Sequence, residues 1–62
     1  MIVFIIDKEL RTSKKYQVMI RRGNCFFHVF PGQLFTLEEA RAICVENGYT
    51  VAGIGDIWQC LD

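Results

Sequence analysis

Residues 16–48 set the fold of this chain, and they read YQVMIRRGNCFFHVFPGQLFTLEEARAICVENG. Two runs of alternating apolar and polar residues flank Gly23-Asn24, and a segment with helical periodicity follows Thr36. Alternation with a period of two is typical of half-buried strands, and a Gly-Asn pair between two such runs is typical of a hairpin loop. We therefore predict a strand, a two-residue turn, a second strand and a helix, with a further turn at Pro31-Gly32 before the helix.

The hairpin turn determines which side chains share a face. Glycine suits the first position of a type II′ turn, and a loop at Gly23-Asn24 places Arg22 opposite Cys25. Directly opposed residues lie on the same side of a sheet, whereas a slip of one residue would exchange the two sides. The predicted core face consists of Val18, Ile20, Phe27 and Val29. The predicted open face consists of Gln17, Met19, Arg21, Phe26, His28 and Phe30.

The predicted open face is rich in aromatic and cationic side chains. Phenylalanine, methionine and arginine are enriched at protein interfaces, so this composition favours a binding surface over an ordinary solvated face. We therefore expect the partner-binding residues on this hairpin. They are Met19, Arg21, Arg22, Phe26, His28 and Phe30.

Local signals define both ends of the helix. Thr36 and Glu39 have the spacing of a capping box, in which each side chain accepts a hydrogen bond from the other residue's backbone. Gly48 can adopt the left-handed conformation that ends a helix, so the predicted helix runs from Leu37 to about Asn47. Its apolar stripe, expected to pack on the core face of the hairpin, contains Leu37, Ala40, Ile43 and Cys44.

The two ends of the chain complete the predicted fold. Residues 2–6 form a continuous apolar run, which is typical of a central strand covered on both faces. The run is too short to cross a membrane and follows no cationic leader, so we predict a cytoplasmic protein with no membrane contact. Residues 49–61 fit either a hairpin turning at Gly55-Asp56 or one long strand bulged at Gly53 or Gly55.

These elements predict a single α+β domain over residues 1–62. The expected sheet is mostly antiparallel and has three to five strands, with one helix packed on one face. The expected order is β-β-β-α-β, with a C-terminal hairpin as one alternative for the last segment.

Composition suggests that part of the apolar surface needs a partner. The chain has 62 residues, of which 52% are hydrophobic, and its seven basic and seven acidic residues cancel. This is more apolar surface than one helix and one sheet face can hide, so the excess either folds against the second sheet face or is covered by another chain. We expect a homodimer. Six of the seven cationic residues precede the helix and most acidic residues lie in or after it, which makes the molecule a dipole.

Three cysteines without a secretory leader favour reduced thiols. Cys44 and Cys60 are expected to be small buried hydrophobic residues. A zinc site would need Cys25 and His28 together with these two, but residues three apart on one strand point to opposite faces. We therefore predict no metal site.

Catalytic motifs are weak in this sequence. His28 has no serine or aspartate close in sequence with which to form a catalytic pair. Gly53-Ile54-Gly55 has two glycines of a dinucleotide fingerprint, but it lacks the third glycine and the helix that must follow. We therefore predict a protein that is not an enzyme and binds no cofactor.

The segment YQVMIRRGN at residues 16–24, the aromatic strand after it and FTLEEA at residues 35–40 resemble a known DNA-binding module. It is the amino-terminal arm-binding domain of tyrosine integrases, to which plant DNA-binding domains are similar. The resemblance implies a three-stranded sheet with a helix, whose basic open face enters the major groove. It also suits small orphan proteins of phages and mobile elements, many of which block a host complex.

Two functions follow from these observations. The favoured one is a non-catalytic protein-binding module, with an inhibitor of a host or defence complex as one form of it. The alternative is a nucleic-acid-binding module, in which phosphates contact Arg21, Arg22, Lys14 and Lys15 and bases stack on Phe26 or Phe30. Zero net charge and the aromatic open face favour the first.

Overall fold

The computed structural model describes residues 1–61, and these form an α+β fold of one four-stranded sheet and two helices. The strands are β1 (Ile2–Asp7), β2 (Tyr16–Arg22), β3 (Cys25–His28) and β4 (Thr50–Gly55). The helices are α1 (Leu37–Glu46) and α2 (Ile57–Leu61). Across the sheet the strands lie in the order β3-β2-β1-β4, so β1 and β2 are central.

The sheet is mixed, which corrects the prediction of a mostly antiparallel one. β1 and β2 pair antiparallel, as do β2 and β3, but β4 joins β1 in parallel. Because β1, β2 and β3 follow one another as antiparallel neighbours, β3 runs in the same direction as β1. The crossover through α1 then brings the chain back across the sheet, so that β4 also runs in that direction. The predicted order β-β-β-α-β is confirmed, although α2 follows β4.

The register of the β2-β3 hairpin is as predicted. Arg22 pairs with Cys25, and Met19 pairs with His28 three positions further from the turn. Gly23 has a φ of +62°, the backbone conformation that the first residue of a type II′ turn requires. Turn chemistry alone therefore determined which residues of β2 and β3 share a face.

The predicted limits of α1 are also confirmed. Thr36 Oγ1 accepts a hydrogen bond from the Glu39 amide, and Glu39 Oε1 accepts one from the Thr36 amide. At the other end the Tyr49 amide donates to the Cys44 carbonyl, while Gly48 has a φ of +71°. These contacts are a capping box and a Schellman motif, so both helix ends have partners for their free backbone groups.

The main core lies between α1 and the sheet, and β1 crosses its centre. Val3 and Ile5 are fully buried there, together with Val18 of β2 and two residues of α1, Ala40 and Cys44. The apolar stripe predicted for α1 faces this cluster. Ile6 is buried on the opposite side of the sheet, so the prediction of a central strand covered on both faces is confirmed for β1.

Two phenylalanines lie where the hairpin pattern did not place them. Phe27, predicted to be core, is 50% exposed because α1 packs on β1, β2 and β4 and leaves the edge strand β3 uncovered. Phe30, predicted on the open face, packs at the α1 side with its ring 5.8 Å from that of Phe35. β3 ends at His28, so strand alternation no longer governs Phe30.

The C-terminal segment is neither the predicted hairpin nor one long strand. β4 ends at Gly55, and α2 begins directly after Asp56. Asp56 Oδ1 accepts a hydrogen bond from the Gln59 amide at 2.9 Å, and Gln59 Oε1 accepts one from the Asp56 amide at 3.2 Å. This reciprocal pair is a second capping box, which outweighs the β propensity of Ile57 and Trp58.

A β-bulge falls inside β4 directly before Gly53, one of the two glycines predicted to carry it. Val3 pairs with Val51 and Phe4 pairs with Gly53, so Ala52 is the extra residue.

Neither α1 nor α2 has the length and apolar character needed to cross a membrane.

We expect Ile5→Ala and Phe27→Ala to differ sharply in stability. Removing the fully buried Ile5 side chain should cost about 2–5 kcal/mol, because the cavity lies at the centre of the main core. Phe27→Ala should cost less than about 1 kcal/mol, because half of the ring is already in water. Urea unfolding followed by circular dichroism measures both, and equal losses would contradict the exposed position of Phe27.

We also expect the N-terminal cap of α1 to depend on pH. The backbone amide of Thr36 and the ammonium of Lys14 donate hydrogen bonds to Glu39, and they lower the pKa of its carboxyl group. A lowered pKa stabilises the fold above the unfolded pKa, and this contribution disappears as the pH falls through the folded value. Thermal melts of wild type and Glu39→Gln should therefore differ at about pH 7 and converge at about pH 2.5.

Glu38→Gln is the matched control for this experiment. It removes one negative charge from the same helical turn without touching the contacts to Thr36 and Lys14. A pH-dependent loss for Glu38→Gln as large as that for Glu39→Gln would mean that the helix dipole, rather than the cap, accounts for the effect.

Candidate protein-binding surface

The second face of the sheet, opposite α1, is partly covered by α2. A small buried cluster lies between them and consists of Ile6, Met19 and Cys60, with Phe4 and Phe26 packed against it. The rings of Phe4 and Phe26 meet edge to face, with centroids 5.9 Å apart. Met19, predicted as an exposed contact residue, is therefore a core residue of this cluster.

A side-chain hydrogen bond holds α2 on the sheet. Gly53 of β4 lies close to the Phe4 ring, from which a Cβ would be 3.2 Å away, and the Cβ would be at ordinary contact distance, 3.7 Å, from Cys60 Sγ of α2. Arg21 Nη1 donates a 2.7 Å hydrogen bond to the Cys60 carbonyl. Carbonyl groups near the C-terminus of a helix attract cations. The Arg21 hydrogen bond therefore links α2 to β2 and helps to hold the helix on the sheet.

The structure places four of the six predicted binding residues on this second face. Paired positions in β2 and β3 bring Met19 beside His28 and Arg21 beside Phe26. Arg22 lies on the α1 side of the sheet, where it lines a hollow of about 280 Å³ together with Ile20 and Phe27. Phe30 also lies on the α1 side, so neither residue belongs to the surface formed by the others.

A different set of side chains remains available for contact around the buried cluster. We call this set the α2-side surface, and it consists of Arg21, Phe26, His28, Ile57 and Trp58. Arg21 and His28 are exposed, and Phe26 is half-buried. Trp58 is 74% exposed and lines a recess of about 210 Å³ whose floor includes Ile6 and Met19.

Trp58 was missed from the sequence because residues 57–61 were assigned to a strand. The available signal was the pattern Asp56-x-x-Gln59, which marks a helix start as clearly as Thr36-x-x-Glu39 does. Trp58 lies in the first turn of α2, where its side chain is exposed.

Most cations of the hairpin region are engaged within the molecule. Lys14 forms an ion pair with Glu39 at 2.9 Å, and Lys15 forms one with Asp7 at 3.5 Å. Arg21 is bound to the carbonyl of Cys60. Of the four cations predicted to contact phosphates, three therefore have partners within residues 1–61.

The three cysteines lie in different environments. Cys44 is buried under α1 and Cys60 under α2, on opposite faces of the sheet, which confirms their prediction as buried residues. Cys25 is exposed at the start of β3. Within the described part of the chain, no three histidine, cysteine or acidic residues come close enough to hold a metal ion.

Burial makes the two inner thiols poor nucleophiles. It raises the pKa of Cys44, and it also raises the pKa of Cys60, where the Asp56 carboxylate adds to the rise and the Arg21 guanidinium opposes it. Since the thiolate is the reactive form, both groups are expected to react slowly.

No model of a known protein family, no curated protein and no solved structure matches this chain. The resemblance to integrase arm-binding domains therefore stays a prediction.

Thiol alkylation should report whether α2 is docked on the sheet. Cys25 is expected to react with iodoacetamide roughly tenfold or more faster than Cys44 and Cys60, because only Cys25 is exposed. Mass spectrometry after cleavage at glutamate gives the three rates, because cleavage at Glu39 and Glu46 separates Cys44 from Cys25 and from Cys60. Arg21→Ala should raise the rate at Cys60 and leave that at Cys44 unchanged, whereas equal rates at Cys25 and Cys60 in wild type would show that α2 is undocked.

Proposed function

We propose that this protein is a non-catalytic protein-binding module that contacts its partner through the α2-side surface. The observation that carries the proposal is the exposure of Trp58, which projects 74% of its surface into solvent from a helix with a reciprocal cap. Tryptophan and arginine are the residues most often found at the energetic centres of protein interfaces.

The surroundings of Trp58 support a role in binding. Ile57 beside it is also exposed, and the recess next to Trp58 has an apolar floor and acidic and basic groups at its rim. An apolar anchor beside a polar rim is the usual arrangement of a protein interface. The capping box and the Arg21 contact hold α2 in place, so little conformational entropy is lost on binding.

Charge favours a protein partner over a nucleic acid. Phosphate binding needs several free cations on one face, but Lys14, Lys15 and Arg21 have intramolecular partners. Arg22 lies on the opposite side of the sheet from Arg21. The net charge of zero also gives no general attraction to a polyanion.

We expect Trp58→Ala to weaken binding without unfolding the protein. A photoreactive phenylalanine analogue in place of Ile57 would first capture the partner, which is then purified and titrated by calorimetry. Trp58→Ala should weaken binding by about 2 kcal/mol, or roughly 30-fold in Kd, while the urea midpoint stays close to that of wild type.

Phe27→Ala is the matched control, since it also removes an exposed aromatic ring but lies on the α1 side. It should leave the affinity unchanged. Equal affinities for wild type and Trp58→Ala would contradict the proposal, as would a captured nucleic acid whose log affinity falls steeply with log salt concentration. Capture of a component of a host or defence complex would support the specific proposal that the protein inhibits such a complex.

A further inference from the structure

The outer edge of β4 is open to another strand. Within residues 1–61, β4 pairs only with β1, so one row of its backbone groups has no partner in the sheet. The Thr50 amide donates to the Met1 carbonyl, so the backbone groups of Thr50 point toward β1. Successive residues of a strand point their backbone groups to opposite sides, so those of Val51 point toward the free edge. An unpaired edge of this kind is a template for strand addition.

This edge lacks two of the features that usually block strand addition, charged residues and proline, although it contains the bulge at Ala52. β4 reads TVAGIG and contains neither a charged residue nor a proline. The other edge strand, β3, has only four residues and lies between the Gly23-Asn24 turn and Pro31. Short strands and flanking prolines protect an edge, so β4 is the exposed one of the two.

An apolar groove runs beside the open edge. It has a volume of about 550 Å³ and lies between β4 and α1, and Arg41 is its only charged lining residue. Val45 of α1 is 79% exposed there, and Ile54 of β4 is 39% exposed. The side chains of an added strand would therefore meet apolar surface next to the backbone hydrogen bonds.

We propose that β4 of a second copy occupies this edge. The two β4 strands pair antiparallel about a twofold axis and join the two sheets into one of eight strands. The edge accepts an extended, uncharged and apolar segment, and β4 is itself such a segment. Copies with zero net charge do not repel one another, and twofold pairing places the two Val45 side chains on the same side of the joined sheet.

The size of the contact defines the strength of the dimer. A six-residue strand is about 20 Å long, and the smallest extent of the molecule is 18 Å. Such a face is small compared with a standard protein interface, and the bulge at Ala52 shortens the regular pairing further. The dimer is therefore reversible at micromolar concentrations and becomes complete only above them.

Sedimentation equilibrium from about 1 to 500 µM tests this dimer. Wild type should rise from one chain mass toward two. Val45→Lys and Ala52→Lys should each weaken dimerisation about tenfold or more, because each puts like charges beside the axis. Val45 is almost fully exposed and lysine is a good helix former, so Val45→Lys should keep the fold.

Ala42→Lys is the matched control, because it adds the same charge to an exposed position of α1 outside the groove. It should dimerise as wild type does. Hydrogen exchange gives a second readout, in which the Val51 amide should gain protection as wild-type concentration rises and gain none in Val45→Lys.

A chain that stays monomeric up to about 500 µM would overturn the inference. So would a dimer insensitive to both lysines, or one without added protection at Val51. Trp58→Ala should dimerise normally, since Trp58 lies on the other side of the sheet, so this inference and the proposed partner binding fail independently of each other.

Discussion

The burial of β1 on both faces is the constraint from which the rest of the structure follows. Val3 and Ile5 face α1, and Ile6 faces α2, while β2 and β4 satisfy the backbone of β1 on its two sides. An apolar strand with no solvated face needs a layer over each side of the sheet. α1 supplies one layer and the short α2 supplies the other, so the C-terminal helix is required by the strand that begins the chain.

Covering β1 leaves the margins of this small sheet uncovered. α1 does not pack on β3, so Phe27 is exposed, and the free edge of β4 has only the groove beside Val45 next to it. Within residues 1–61, the two helices pack over the central part of the sheet and leave β3 and the outer edge of β4 uncovered. The free edge of β4 is the surface that we assign to a second copy, whereas the partner surface lies around α2 on the opposite side of the sheet from α1. The exposed Phe27 belongs to neither surface.

Arg21 illustrates how the fold changes the role of a residue. On an open hairpin, Arg21 would offer a free guanidinium to a ligand. In the folded protein its guanidinium donates a hydrogen bond to the Cys60 carbonyl and so holds α2 on the sheet. The central contact role passes to Trp58, which α2 presents at the surface, and Arg21 contributes only to the rest of the α2-side surface. Met19 changes in the same way, because the layer that α2 adds covers it.

Features governed by neighbouring residues could be predicted from the sequence: the β2-β3 register, the limits of α1 and the central place of β1. Turn geometry, capping boxes and apolar runs act over a few residues, so each of these features is encoded where it occurs. The cap formed by Asp56 and Gln59 is equally local. The exposure of Phe27, the burial of Met19, the position of Phe30 and the parallel pairing of β4 were decided only by the tertiary structure, because they depend on which distant element covers each part of the sheet.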